Sequence, residues 1–154
     1  MNVCEIPVAE LIPHDGNMVL LDELIAFSDS NACAKLTVRN EGLFHSAPNL
    51  PAWVGIELMA QVIAAWAGAK ARLKNEPVKV GFLIGTRKYE SQVPWFTAGD
   101  VLSISIECAF QDTNGMASFD CVINNADNQA LVTANINVYQ PDEHQFQQMM
   151  EAAK

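Results

Sequence analysis

The chain has 154 residues, half of them apolar, with 18 acidic against 9 basic side chains and a formal net charge of −9. That length fits one domain with a substantial core, and the acidic excess argues against a nucleic-acid binder. Four cysteines (Cys4, Cys33, Cys108, Cys121) form no CxxC pair and show no metal-ligand spacing with the three histidines. Neither a disulfide framework nor a metal site is therefore expected, and the thiols read as reduced groups of a cytoplasmic protein. The N-terminal residues include Glu5 and Glu10 and lack a basic region followed by an apolar one, so no signal peptide is expected.

Residues 5–12 (EIPVAELI) predict a short amphipathic turn or helix closed by Pro13. Asp15-Gly16-Asn17 is a turn signal, and Met18 to Phe27 predicts a strand. His14, just before that turn, reads as a helix-to-strand corner residue, outside the chemistry. Residues 32–39 alternate, placing Ala32, Ala34, Leu36 and Val38 on one face of a second strand.

From Ala52 to Leu73 the chain is apolar and rich in alanine, the best helix former. Asn49 is a good N-cap type, and Pro48 and Pro51 bracket the point where the helix should begin. A helix apolar nearly all round is a buried one. Glu57 and Gln61 interrupt the apolar run four residues apart, on one face. Such a carboxyl is costly unless it is paired, hydrogen-bonded or protonated. It also rules against reading the run as a membrane span. Two readings of Glu57 stand: an acid in a site, or a structural carboxyl bonded to Gln61 and backbone. His45, just upstream after Leu43-Phe44, is likewise either a base or an ordinary loop histidine.

After Asn75-Glu76-Pro77 the pattern becomes extended, with strands expected over Lys79–Trp95, Val101–Phe110, Met116–Asn124 and Ala130–Tyr139. Asn114-Gly115 is a strong hairpin turn between the second and third. The tail, 142–153, is helix-prone, with Phe146, Met149 and Met150 forming a small apolar stripe. Six of the nine basic residues lie between 70 and 88. Lys70, Arg72 and Lys74 suit a helix C-terminus, whereas Arg87 and Lys88 are better placed as a landing patch for an acidic protein.

The segment Asn40–Gln61 (NEGLFHSAPNLPAWVGIELMAQ) resembles the signature of the 3-hydroxyacyl-ACP dehydratases of the FabA/FabZ type, which have a hot-dog fold. His45, Pro51, Glu57 and Gln61 fall in turn on that family's catalytic His, helix-start Pro, acidic residue and following Gln. The loop between His45 and Glu57 is two residues shorter than usual, Ala52 replaces the Gly after Pro, and Ser46-Ala47 replaces Phe-Pro. The chain thus resembles a divergent branch, like the dehydratases of aryl-polyene clusters.

The resemblance implies an α+β hot-dog domain spanning 1–154, with a core of about 11–139, in which an antiparallel sheet wraps one long buried helix. It implies dehydration of a 3-hydroxyacyl thioester held on the phosphopantetheine arm of an acyl carrier protein, with no cofactor or metal in the protein itself. His45 is then the base and Glu57 the acid, because apolar surroundings favour the neutral carboxyl. Ala52 and Trp53 would offer free helix-start N–H groups to the enolate oxygen, and Gln61 would contact substrate. Arg87 and Lys88 would dock the carrier. His and acid are expected to meet across a homodimer or larger even assembly, with a hetero-oligomer of related dehydratases as a variant. Two alternatives stand beside this: an acyl-thioester hydrolase, and a non-catalytic partner subunit of an active dehydratase.

Overall fold

The computed structural model describes residues 1–46, 48–77 and 81–153; Ala47 and Lys79, named above, lie outside them. The chain opens with β1 (Asn2–Val3), a single 3-10 turn at Val8–Glu10 and a second at Gly16–Met18. Next come β2 (Glu23–Phe27), β3 (Asn31–Thr37), the short β4 (Asn49–Pro51) and the central helix α1 (Gly55–Leu73). Then follow β5 (Phe82–Ser91), β6 (Trp95–Thr97), β7 (Val101–Gln111), β8 (Met116–Asn124), β9 (Ala130–Tyr139) and α2 (Glu143–Ala152).

Seven strands form one antiparallel sheet in the order β1-β2-β3-β7-β8-β9-β5, and β4 pairs with β6 apart from it. Strict alternation sets one apolar face toward α1. Ala32, Ala34 and Leu36 on β3, Leu102, Ile104 and Ile106 on β7, Phe119 and Ile123 on β8, and Val132 and Ile136 on β9 are all buried. Against them α1 sets Leu58, Met59, Val62, Ile63, Ala65, Trp66 and Ala69. Trp66 meets Phe119 edge to face at 5.3 Å, a contact that adds about 0.5–1.5 kcal/mol beyond its buried area. The Ala52–Leu73 run is long and apolar enough to cross a membrane, yet most of it is buried inside the protein as a core helix.

Four expectations change. The strand expected from Met18 begins only at Glu23, because the backbone groups of Met18 and Leu20 are bonded by the Gln61 side chain and cannot join a sheet ladder. Asn49 does not cap the helix: it sits in β4, paired with Thr97, and a 3-10 turn over Ala52–Val54 leads into α1. The strand expected over Lys79–Trp95 ends at Ser91, and Trp95 instead starts β6. Finally, only β7, β8 and β9 form a meander. β5 lies beyond β9 at the sheet edge, so α1 carries the chain from one side of the sheet to the other.

Candidate functional site

Glu57 stands in the first turn of α1. Its Oε1 lies 3.0 Å from His14 Nε2 and accepts a hydrogen bond from Gln61 Nε2 at 3.1 Å. Gln61 is fully buried. Its amide orientation is fixed, since Leu20 N–H donates to Oε1 at 3.0 Å while Nε2 donates to Met18 O at 2.7 Å. A buried amide with these contacts inside the protein holds the site together, and Gln61 is not among the residues that line the cavity beside Glu57. The Glu57 side chain is 30 % exposed and that of His14 23 %, so the carboxyl lies at a wall, not in a sealed core.

The segment carrying His14 is seated along one seam of α1. Glu57, Gln61, Gly68 and Arg72 follow at spacings of four, seven and four, which keeps them on one helix face. Glu57 meets His14, Gln61 holds Met18 and Leu20, and Arg72 pairs with Glu10 at 3.3 Å. At Gly68 the backbone of Leu11 comes so close that a Cβ would collide with the Leu11 carbonyl. That close approach draws Leu11 to His14 onto the helix and sets the height at which the imidazole meets Glu57.

His14 and Glu57 open into a cavity of about 390 Å³. One wall is the half-buried stripe Ala60, Ala64 and Ala67 on α1; the facing wall includes Leu83, Phe119 and Val138. Its size suits a small-molecule site, with apolar walls along α1 and β8–β9 and polar side chains such as His14, Glu57, Gln140 and Asp142 also lining it. Among the described residues, no cluster of His, Cys, Asp or Glu has the makings of a metal site.

The other expected residues lie elsewhere. His45 does not line this cavity. Its ring packs on Gly42, and both ring nitrogens are buried without a hydrogen-bond partner among the described residues. The Ala52 N–H is not free, because it donates to Pro94 O at 3.1 Å, a consequence of the β4–β6 pairing next to it. Trp53 is largely exposed and meets Phe44 edge-on at 6.0 Å. The Tyr89 hydroxyl donates to Ala52 O, and burial pushes that phenol up to about 12. Arg87 and Lys88 are exposed on β5, where a bulge gives Lys88 a left-handed backbone.

His14 is the residue that sequence reasoning set aside. Its signal was indirect: a carboxyl in an apolar helix needs a partner, and the chain has only three histidines to offer one.

The family model of the ApeP-like group, described as ApeP dehydratase, matches residues 6–151. A chain in the structure of the dehydratase heterocomplex ApeI:P from Xenorhabdus doucetiae is 34 % identical. The match covers 96 % of this chain and 99 % of that one, with a TM-score of 0.86. A hypothetical thioesterase from Streptococcus pneumoniae TIGR4, solved with coenzyme A, is 16 % identical over 77 % of this chain and 84 % of its own, at TM-score 0.60. Cj0977, a sigma28-regulated virulence protein of Campylobacter jejuni, is 20 % identical over 90 % of each chain, also at 0.60. The last two show the fold alone. Among curated protein sequences, none matches this chain. The antiparallel sheet around one long helix is the expected hot-dog fold.

Proposed function

Because this chain belongs to the ApeP-like dehydratase family, we propose that it converts a 3-hydroxyacyl thioester on acyl carrier protein to the trans-2-enoyl thioester, in fatty-acid or aryl-polyene-type biosynthesis. The observation that carries the proposal is the 3.0 Å contact between His14 Nε2 and Glu57 Oε1 on the wall of the cavity. Gln61 Nε2 donates to Oε1, and with its proton on Nε2 His14 donates there too, which leaves Oε2 of Glu57 as the oxygen that exchanges a proton with substrate in this reading. His14 Nδ1 is buried and has no partner among the described residues, so the ring holds the carboxyl in place and does not itself reach substrate. Glu57 Oε2 takes the proton from the carbon beside the thioester carbonyl, and those electrons form the Cα=Cβ bond. The Cβ–O bond breaks, and the hydroxyl leaves as water with the proton from Glu57. The proton that Glu57 takes up is the one it gives to the departing hydroxyl, so the carboxyl ends in its starting state.

His45 enters this scheme only if a second subunit brings it to Glu57. The edge strand β5 gives support for an assembly, since Phe82, Leu83 and Ile84 are exposed on it and nothing pairs its outer side among the described residues. A second reading, a non-catalytic partner of an active dehydratase, is favoured by the 34 %-identical relative being part of a heterocomplex.

Purified protein, alone and with a related dehydratase subunit, is incubated with 3-hydroxyacyl-ACP while enoyl product and free thiol are followed. Enoyl formation that falls about 10²–10⁴-fold in both His14→Ala and Glu57→Gln supports the cis pair. A comparable loss in His45→Ala alone would move the base to the partner subunit. Activity only in the mixture, indifferent to Glu57→Gln, would establish the non-catalytic role, and thiol release without enoyl product would indicate a hydrolase.

A further inference from the structure

We infer that the C-terminal strap, Gln140 to Gln145 at the head of α2, is the end wall of the acyl cavity and sets the longest acyl chain the protein accepts. The inference rests on the reading that the thioester reacts at Glu57, beside His14. From that pair the cavity runs along Ala60, Ala64 and Ala67, about 15 Å of helix between residues 57 and 67, matching an acyl chain of roughly ten to twelve carbons. A pantetheine arm, with its amides, would need hydrogen-bond partners along those alanines, which offer none; an alkyl or alkenyl chain needs none.

At the far end the surroundings turn polar. Gln140, Asp142 and Gln145 line the cavity there, opposite the 111–115 turn. A separate void of about 100 Å³, bounded by Lys70 and Lys74, shares Ala67, Gln111 and Gln140 with it. Gln140 therefore stands as a partition between the acyl cavity and further space.

The strap is held at three points. Gly115, at φ +95°, lets the turn close on the Gln140 carbonyl, where a Cβ would collide. Asp142 and Gln145 form a reciprocal capping box, with Asp142 Oδ1 accepting from Gln145 N–H at 2.7 Å and Gln145 Oε1 from Asp142 N–H at 3.1 Å. Beyond the cap, Phe146 stacks on Phe82 at 6.5 Å, while Met149 and Met150 stay exposed. The aromatic stack is the point that fastens the α2 end of the strap to β5, and removing it loosens that end without touching His14 or Glu57.

The test measures binding of 3-hydroxyacyl-pantetheine thioesters from six to sixteen carbons by titration calorimetry, on the full chain, with dehydration followed in parallel. For the native chain affinity should rise with length and then fall at least tenfold beyond a limit. Phe146→Ala should move that limit at least two carbons longer, with the affinity for the shortest thioester unchanged, and Ala67→Leu should move it shorter. A limit at the same length in Phe146→Ala, or no limit in the native chain, overturns the inference. Failure of the functional proposal looks different: a normal limit and normal shifts with no enoyl product at any length would sink the catalytic reading and leave the wall in place.

Discussion

Replacing Gln61 by Leu tests how the site is held. Gln61 is the single buried polar side chain recorded among the described residues, and its amide bonds Met18 O, Leu20 N–H and Glu57 Oε1. Leucine keeps the bulk and removes all three contacts. Leaving the Met18 carbonyl and Leu20 N–H unpaired costs about 1–3 kcal/mol each, while the more apolar side chain recovers about 1–2 kcal/mol. At the middle of both ranges the net loss is about 2.5 kcal/mol, a sizeable part of a domain stability of roughly 5–15 kcal/mol. Urea denaturation should show a midpoint lower by about 1 M at unchanged slope. Amide exchange should be faster at Leu20, because the segment that carries His14 opens locally. Glu57→Gln, combined with Gln61→Leu, should be non-additive by about 0.5 kcal/mol or more, as the two side chains touch. A midpoint unchanged within error, with Leu20 still protected, would refute the argument that Gln61 seats this segment.

Other outcomes follow from the same contacts. Glu57→Gln alone should be nearly neutral for stability, since the amide oxygen can still accept from Gln61 and His14; a loss above about 2 kcal/mol would show a structural carboxyl. Burial pushes the Cys121 thiol and the Tyr89 phenol up to about 12, from 9.0 and 10.0. Both raised values mean that the folded state holds its proton more tightly than the unfolded one. Their contribution is complete below about pH 9 and is lost as pH rises toward about 12, so the melting temperature should fall across that window and fall less in Cys121→Ala. Charge reversal at Arg87 and Lys88, exposed on β5, should weaken carrier binding and flatten its salt dependence; binding indifferent to both changes would remove that docking site. Light scattering at micromolar concentration should give a dimer or larger even assembly, alone or with a related subunit, whereas a lone monomer under both conditions would contradict it.

What the sequence determined by itself was local and periodic. The alternation over Leu102, Ile104 and Ile106, the Asn114-Gly115 turn and the apolar run through α1 each express a pattern within a dozen residues, and the structure keeps all three. The carboxyl's need for a partner was legible too, because an apolar helix tolerates Glu57 only if something bonds it. Which group bonds it was decided by the tertiary fold. His14 is 43 residues away in sequence and arrives only because Gly68 admits the Leu11 backbone and Gln61 takes the backbone groups of Met18 and Leu20. The same side-chain bonds cancelled a strand that local propensity favoured, and pairing of β4 with β6 took the Ala52 N–H from the helix start. Propensity and periodicity are properties of neighbouring residues. The site is made of backbone groups and side chains whose partners are chosen by packing between distant segments, which no window of the sequence contains.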